Sequence, residues 1–211
     1  MNQEILDLFK SGAHEKAIIA LTKLLDQDPN NVSLLLQLAT MLIEVTDLTQ
    51  ARQVLQRAAA IAPKQPEILY NQAVVMHQLK QDDQAIAVLQ QLGQTKLAAD
   101  ANYLMAVIYF EQNKNQLATA FALTAVEQSP DELGTNLLLA QILAKQQAWA
   151  QSLSYAKKAY DLQSDNADAA FVYGAALLNH HEEIRGKQLL EQARQLAPKK
   201  YESAVQLILT E

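Results

Sequence analysis

The sequence repeats a pattern about every 34 residues, and this period constrains the fold more than any other feature. Six positions mark it: Pro29, Pro63, Leu97, Pro130, Ser164 and Pro198. The spacings between them are 34, 34, 33, 34 and 34 residues. Because proline cannot continue the interior of a helix, each marker indicates the end of one helical unit and the start of the next. A fixed period of this length predicts a stack of similar units.

Composition identifies the units as helical. The chain of 211 residues is 50% hydrophobic but has only five glycines, five prolines and 6% aromatic residues. Strands favour β-branched and aromatic residues, which are sparse here, whereas Ala, Leu and Gln are abundant and favour helices. Two similar segments, ARQVLQRAAAIAP at 51–63 and GKQLLEQARQLAP at 186–198, show the pattern at both ends of the chain. The expected fold class is all-α.

Small residues recur at two fixed positions of the repeat. If the full repeats begin at Val32, Pro66, Ala99, Leu133 and Ala167, the eighth and twentieth positions are always Ala, Gly or Ser. The eighth positions are Ala39, Ala73, Ala106, Ala140 and Gly174, and the twentieth are Ala51, Ala85, Ala118, Ser152 and Gly186. Apolar residues at positions 4, 7, 8 and 11 share one helix face. The pattern predicts two antiparallel helices per repeat that approach closely at the small residues.

These features resemble the tetratricopeptide repeat family, a 34-residue helix-turn-helix repeat. The resemblance is closest in LLLQLATMLIEVTDLTQARQVLQRAAAIAP and AFVYGAALLNHHEEIRGKQLLEQARQLAP. It implies one domain, 1–211, folded as a right-handed α-solenoid of about six repeats. Their approximate ranges are 1–31, 32–65, 66–98, 99–132, 133–166 and 167–200, followed by a capping helix at 201–211. That helix is more apolar than one exposed face requires, so a self-association surface is an alternative to simple capping.

The resemblance also implies a candidate site. In this family, positions 5, 9 and 12 of the first helix of each repeat line the concave groove. Twelve of the fifteen residues at these positions are apolar here, which is unusual for a surface that faces only solvent. The candidate groove residues are Leu36, Tyr70, Val74, His77, Tyr103, Val107, Phe110, Leu137, Gln141 and Phe171. Three interpretations stay open: tight internal packing, a bound helical or extended peptide, and self-association.

Residues for catalysis or metal binding are not apparent. His180, His181, Glu182 and Glu183 are adjacent and fall in a predicted turn, so their side chains point apart. The chain has no cysteine and no glycine-rich phosphate loop. Some family members grip a carboxylate with Lys and Asn, but the matching positions here hold Leu36, Thr40 and Asn71, of which only Asn71 fits. We expect no enzymatic activity, cofactor or metal.

The expected partner is a protein or peptide, with a homodimer as the alternative. A net charge of −6 without basic clusters disfavours nucleic acid, and hence a helical-repeat protein that binds RNA. No apolar stretch approaches the roughly 18 residues that span a bilayer, so no membrane association is expected. The first residues lack the pattern of a secretory signal, and we expect a cytoplasmic protein.

Overall fold

The structure, a computed structural model that describes residues 3–210, is built from α-helices. This part of the chain contains thirteen α-helices, one short 3-10 segment and no strand. The helices are α1 (Gln3–Lys10), α2 (His14–Gln27), α3 (Val32–Glu44), α4 (Leu48–Ile61), α5 (Pro66–Gln78), α6 (Asp82–Leu89), α7 (Ala98–Glu111), α8 (Asn115–Gln128), α9 (Leu133–Lys145), α10 (Trp149–Leu162), α11 (Ala167–Asn179), α12 (Glu183–Leu196) and α13 (Pro198–Thr210). The predicted all-α fold class is confirmed.

Local sequence explains several helix starts. The side chains of Asn31, Asp47 and Asn166 each accept a hydrogen bond from a backbone N–H three residues further on. Such caps satisfy donors that have no partner within the helix. Pro66 is the first residue of α5, where the missing N–H of proline costs nothing.

The helices form two compact units, unit 1 ending at Ala101 and unit 2 beginning at Asn102. In unit 1, each helix from α1 to α6 contacts the next, and α3 also contacts α5. In unit 2, α8 to α13 contact one another in sequence, and α9 also contacts α11. Each unit therefore consists of stacked helical hairpins, in which the first helix of one hairpin also packs on the first helix of the next.

Small residues lie where paired helices meet. Ala39 on α3 and Ala51 on α4 have no exposed surface. The approach is tightest between Gly174 on α11 and Gly186 on α12, because a methyl group added to Gly174 would lie 2.9 Å from the carbonyl oxygen of Gly186. The predicted small positions are thus sites of backbone contact. The larger apolar side chains beside them then fill the core.

The turn inside each hairpin uses a left-handed residue. The residues with φ between 59° and 85° recur at the fifteenth position of every repeat: Gly12, Thr46, Lys80, Asn113, Gln147 and His181. At each turn this residue and the next donate their N–H groups back to the last turn of the helix, as Thr46 does to Ile43 and Asp47 to Leu42. This is the Schellman arrangement, which satisfies terminal carbonyls. Glycine suits the position best, yet only the first turn has it.

The second helix of the 66–98 repeat differs from its counterparts. Helix α6 has eight residues, and a 3-10 segment at Gln90–Leu92 follows it. Gly93 comes next with φ of −58°, in the right-handed region. This repeat has 33 residues instead of 34. The missing residue coincides with the shorter second helix and with the tighter 3-10 turn that ends it.

Helix α13 begins three residues before the predicted start at 201 and packs on α12. Tyr201 and Val205 are buried, while Leu207 is 63% exposed. The Tyr201 hydroxyl donates to Asp168 at 2.7 Å, and Lys200 donates to both oxygens of the same carboxylate at 2.8 Å. Burial alone would raise the pKa of Asp168, but these two partners hold it below its usual value. One face of α13 is therefore anchored to unit 2.

Replacing Gly174 with alanine is expected to lower the free energy of unfolding by about 1–3 kcal/mol, because the added methyl group meets backbone atoms that cannot move aside. Gly134→Ala is the matched control, since its nearest neighbours, atoms of the Tyr103 ring, lie 3.7 Å away. The control should be as stable as the wild type or slightly more so, given the higher helix propensity of alanine. Urea denaturation followed by circular dichroism measures both. Equal stability of Gly174→Ala and wild type would contradict the close approach.

Candidate binding groove

The ten candidate groove residues lie on the first helices of their hairpins, and each is half-buried. Leu36, Tyr70, Val74 and His77 belong to unit 1. The other six, Tyr103, Val107, Phe110, Leu137, Gln141 and Phe171, belong to unit 2. The surroundings differ between the two sets, so each is described within its own unit.

Unit 1 contains a cavity of about 480 Å³ between its first helices. The lining residues come from α1, α3 and α5: Leu6, Phe9, Ser33, Leu36, Gln37, Thr40, Met41, Glu44, Glu67 and Asn71. Leu36 and Thr40 occupy the fifth and ninth positions of their repeat, two of the positions assigned to the groove. The volume lies within the range of small-ligand pockets, so the cavity can accept one or more side chains of a partner.

The cavity joins an apolar floor to a polar rim. Leu6, Phe9, Leu36 and Met41 form the floor, and the buried Phe9 ring stacks on His14 with a centroid distance of 4.4 Å. The rim includes six polar residues, among them two carboxylates. This combination can bury an apolar side chain and also hydrogen-bond the groups beside it.

Several rim side chains are already engaged within the chain. The Thr40 hydroxyl donates to the carbonyl of Leu36 at 3.0 Å, and Gln37 donates to Ser33 at 3.3 Å. Glu67 is ion-paired with Lys96, whose hydrogen bond is the main reason that the pKa of Glu67 lies below its usual value. Each of these contacts fixes the orientation of a rim group.

Two rim side chains, those of Asn71 and Glu44, have no hydrogen-bond or ion-pair partner within residues 3–210. Asn71 is half-buried, and its amide offers both donors and an acceptor. Glu44 is exposed and carries a carboxylate. They are the rim groups free to bind a partner.

Sequence reasoning missed the contribution of α1. Extending the 34-residue period one unit towards the N-terminus places Leu6 at the ninth position and Phe9 at the twelfth, so the repeat itself held the signal. Met41 and Glu44, at the tenth and thirteenth positions, lie beside the predicted groove positions and were also missed. The cavity wall is thus broader than positions 5, 9 and 12.

The other unit 1 candidates do not line this cavity. Val74 packs against the core of unit 1. The Nδ1 atom of His77 lies 2.8 Å from the Asp82 carboxylate at the start of α6, which links the two helices of one hairpin. Tyr70 is half-buried and engaged in an interaction within the chain. Val74 and His77 therefore take part in the internal structure of unit 1.

In unit 2, the aromatic candidates pack against the hydrophobic core. Tyr103, Val107 and Phe110 all contact the cluster that includes Leu139 and Ile142. Burial raises the pKa of Tyr103, whose ring lies over Gly134. Lys145 lies 4.9 Å from the centre of the Phe110 ring. One side of each of these residues is therefore occupied within the unit.

The remaining unit 2 candidates also have internal neighbours. Leu137 and Phe171 pack against the cluster around Tyr173. Phe171 also stacks on Tyr201 of α13 at 4.5 Å, so the C-terminal helix covers part of its ring. Gln141 is half-buried.

The adjacent histidines and glutamates lie in the last hairpin turn. His180 and His181 follow α11, and His181 is the left-handed residue of that turn. Among residues 3–210, no group of three or more His, Cys, Asp or Glu side chains is arranged to hold a metal ion. The same part of the chain contains no helix with the length and apolarity needed to cross a membrane.

The double change Tyr103→Ala with Phe110→Ala is expected to lower the free energy of unfolding by about 2–4 kcal/mol, because two half-buried rings leave the core of unit 2. The control is Leu117→Ala with Leu123→Ala, which removes two exposed side chains from α8. This control should lower the free energy of unfolding by less than about 1 kcal/mol. Denaturation curves measure both variants. If the aromatic variant unfolds like the wild type, the rings are not part of the core packing.

The comparisons with known proteins agree with this architecture. A sequence search of curated proteins found no match. Among solved structures, PilF of Pseudomonas aeruginosa is 17% identical, with a TM-score of 0.77 over 93% of this chain and 90% of that one. PilW, a type IV pilus biogenesis factor, is 17% identical, with a TM-score of 0.79 over 98% and 96%. YrrB, a tetratricopeptide repeat protein with an unusual peptide-binding site, is 17% identical, with a TM-score of 0.59 over 85% and 93%. At these identities, the likeness shows the fold alone.

The family follows from the repeat pattern and the fold together. The sequence model of the tetratricopeptide repeat matches residues 8–59 and 42–108. Beyond the matched residues, the same period and paired helices continue through α12. Residues 8–108 therefore match the tetratricopeptide repeat family, whose members are in general non-enzymatic scaffolds for protein–protein interaction, and the rest of the chain resembles them in period and fold.

Proposed function

We propose that the protein is a non-enzymatic scaffold that binds a partner protein or peptide in the unit 1 cavity. The observation that carries the proposal is the cavity itself, with an apolar floor on α1 and α3 and two unpaired polar side chains on its rim. An apolar side chain that enters the cavity loses its contact with water, and this burial supplies the main driving force. The Asn71 amide pairs with the backbone of the bound segment and so fixes its position.

Of the ten candidate groove residues, only Leu36 lines this cavity. In unit 2 the apolar candidates pack against core clusters, and Phe171 is partly covered by α13. In unit 1 Leu36 also packs against a core cluster, but together with Leu6 it lines open volume that a partner can enter. Binding energy at an interface usually comes from a few central residues. A single cavity that holds one apolar side chain agrees with this better than a binding surface along all the first helices.

Replacing Leu36 with glutamate is expected to abolish partner capture by the purified protein from an extract of its source cell. A carboxylate in the cavity is incompatible with a buried apolar side chain, because it would lose its hydration without a counter-ion. The matched control is Ile19→Glu, which places the same charge on α2, where Ile19 is 48% exposed and does not line the cavity. Captured proteins are compared by mass spectrometry after both variants have been shown to keep wild-type helicity.

Undiminished capture by Leu36→Glu would contradict the proposal. If the captured protein is a second copy of this chain, and truncation of α13 removes it, the alternative of a self-associating module is correct instead. The exposed side chains of Leu207 and Leu209 make α13 the surface to truncate.

A further inference from the structure

We infer that the segment bound by the unit 1 cavity is apolar and cationic: a large apolar side chain with a lysine or arginine close to it in sequence. This inference rests on the proposed function and specifies the chemistry of the partner. It follows from the charge of the rim, the form of the floor and the groups left unpaired.

The rim is acidic. Of the ten lining residues, two are glutamates, and none is lysine, arginine or histidine. Glu67 is ion-paired with Lys96, but no ion pair reaches Glu44 within residues 3–210. The cavity mouth therefore carries one uncompensated negative charge. An incoming cation is attracted to it, and an incoming carboxylate or phosphate is repelled.

The apolar floor favours a specific placement of that cation. Lysine and arginine have long aliphatic stems that lie along apolar surface while the charged end stays in water. Leu36 and Met41 are part of the floor, and Glu44 is one helical turn beyond Thr40 and Met41 on the same helix. A cationic stem can therefore follow this face of α3 outward from the floor to the Glu44 carboxylate.

Asn71 and Glu44 then have different tasks. The amide of Asn71 pairs with a peptide backbone whatever its sequence, since it offers both donors and an acceptor. Glu44 and the floor select side chains. Asn71 therefore contributes to the affinity for any peptide, whereas Glu44 determines the preference for a basic one. The two contributions can be tested with separate substitutions.

The first test is selection of a random peptide library of about twelve residues, displayed on phage, against the full chain, with a parallel selection against Leu36→Glu. The expected result is enrichment of peptides that combine large apolar residues with lysine or arginine, and their absence from the Leu36→Glu selection. Enriched acidic or uncharged peptides that still require Leu36 would overturn the inference and leave the proposed function intact. Peptides that bind both proteins equally would contradict both, and a selection without enrichment would overturn the inference.

The second test measures the affinity of one selected peptide by fluorescence anisotropy. Glu44→Gln should weaken binding by roughly threefold to fivefold, the upper part of the range for an exposed ion pair. It should also reduce the dependence of binding on salt. The control Glu15→Gln removes a carboxylate that is also exposed, on α2 and outside the cavity, and should leave the affinity unchanged. Equal affinities for wild type and Glu44→Gln at low salt would overturn the assignment.

Discussion

The close approach of two helices at small residues determines the geometry of each repeat. Where Gly174 meets Gly186, the backbones are so near that even a methyl group does not fit between them. Ala39 and Ala51 have no exposed surface at the equivalent positions. Because positions 4, 7, 8 and 11 of the first helix form the face that packs inside the repeat, the fifth and ninth positions lie roughly 100° or more from the centre of that face. The face available for binding is thus a consequence of the face that is buried.

In unit 1 this geometry leaves a cavity beside α3, whereas in unit 2 the apolar candidates pack against core clusters. Leu36 and Thr40 border open volume, with Leu6 and Phe9 on one side and Asn71 on the other. Tyr103 and Phe110 instead carry large rings that reach the core of their unit. The difference lies in the side chains, since both units use the same helical hairpin. A repeat protein can therefore place a binding site in one region and use the equivalent positions elsewhere for stability.

Most of the fold could be predicted from the sequence, because the period and the small residues act locally and recur. The left-handed turn residues could not, since Thr46 and Gln147 have no intrinsic preference for that conformation and adopt it because the hairpin requires it. The candidate residues were predicted only in part. Whether Phe171 is open or stacked on Tyr201 depends on how α13 packs, which the pattern of a single repeat does not contain.

Methyl NMR can show whether a partner binds in the unit 1 cavity. The full chain, labelled at the methyl groups of leucine, isoleucine and methionine, is titrated with a selected apolar and cationic peptide. If the peptide binds there, the largest chemical-shift changes are expected at Leu6, Leu36 and Met41, which line the floor of the cavity. Changes confined to exposed methyl groups elsewhere, such as those of Ile184 and Leu207, would contradict binding in the cavity.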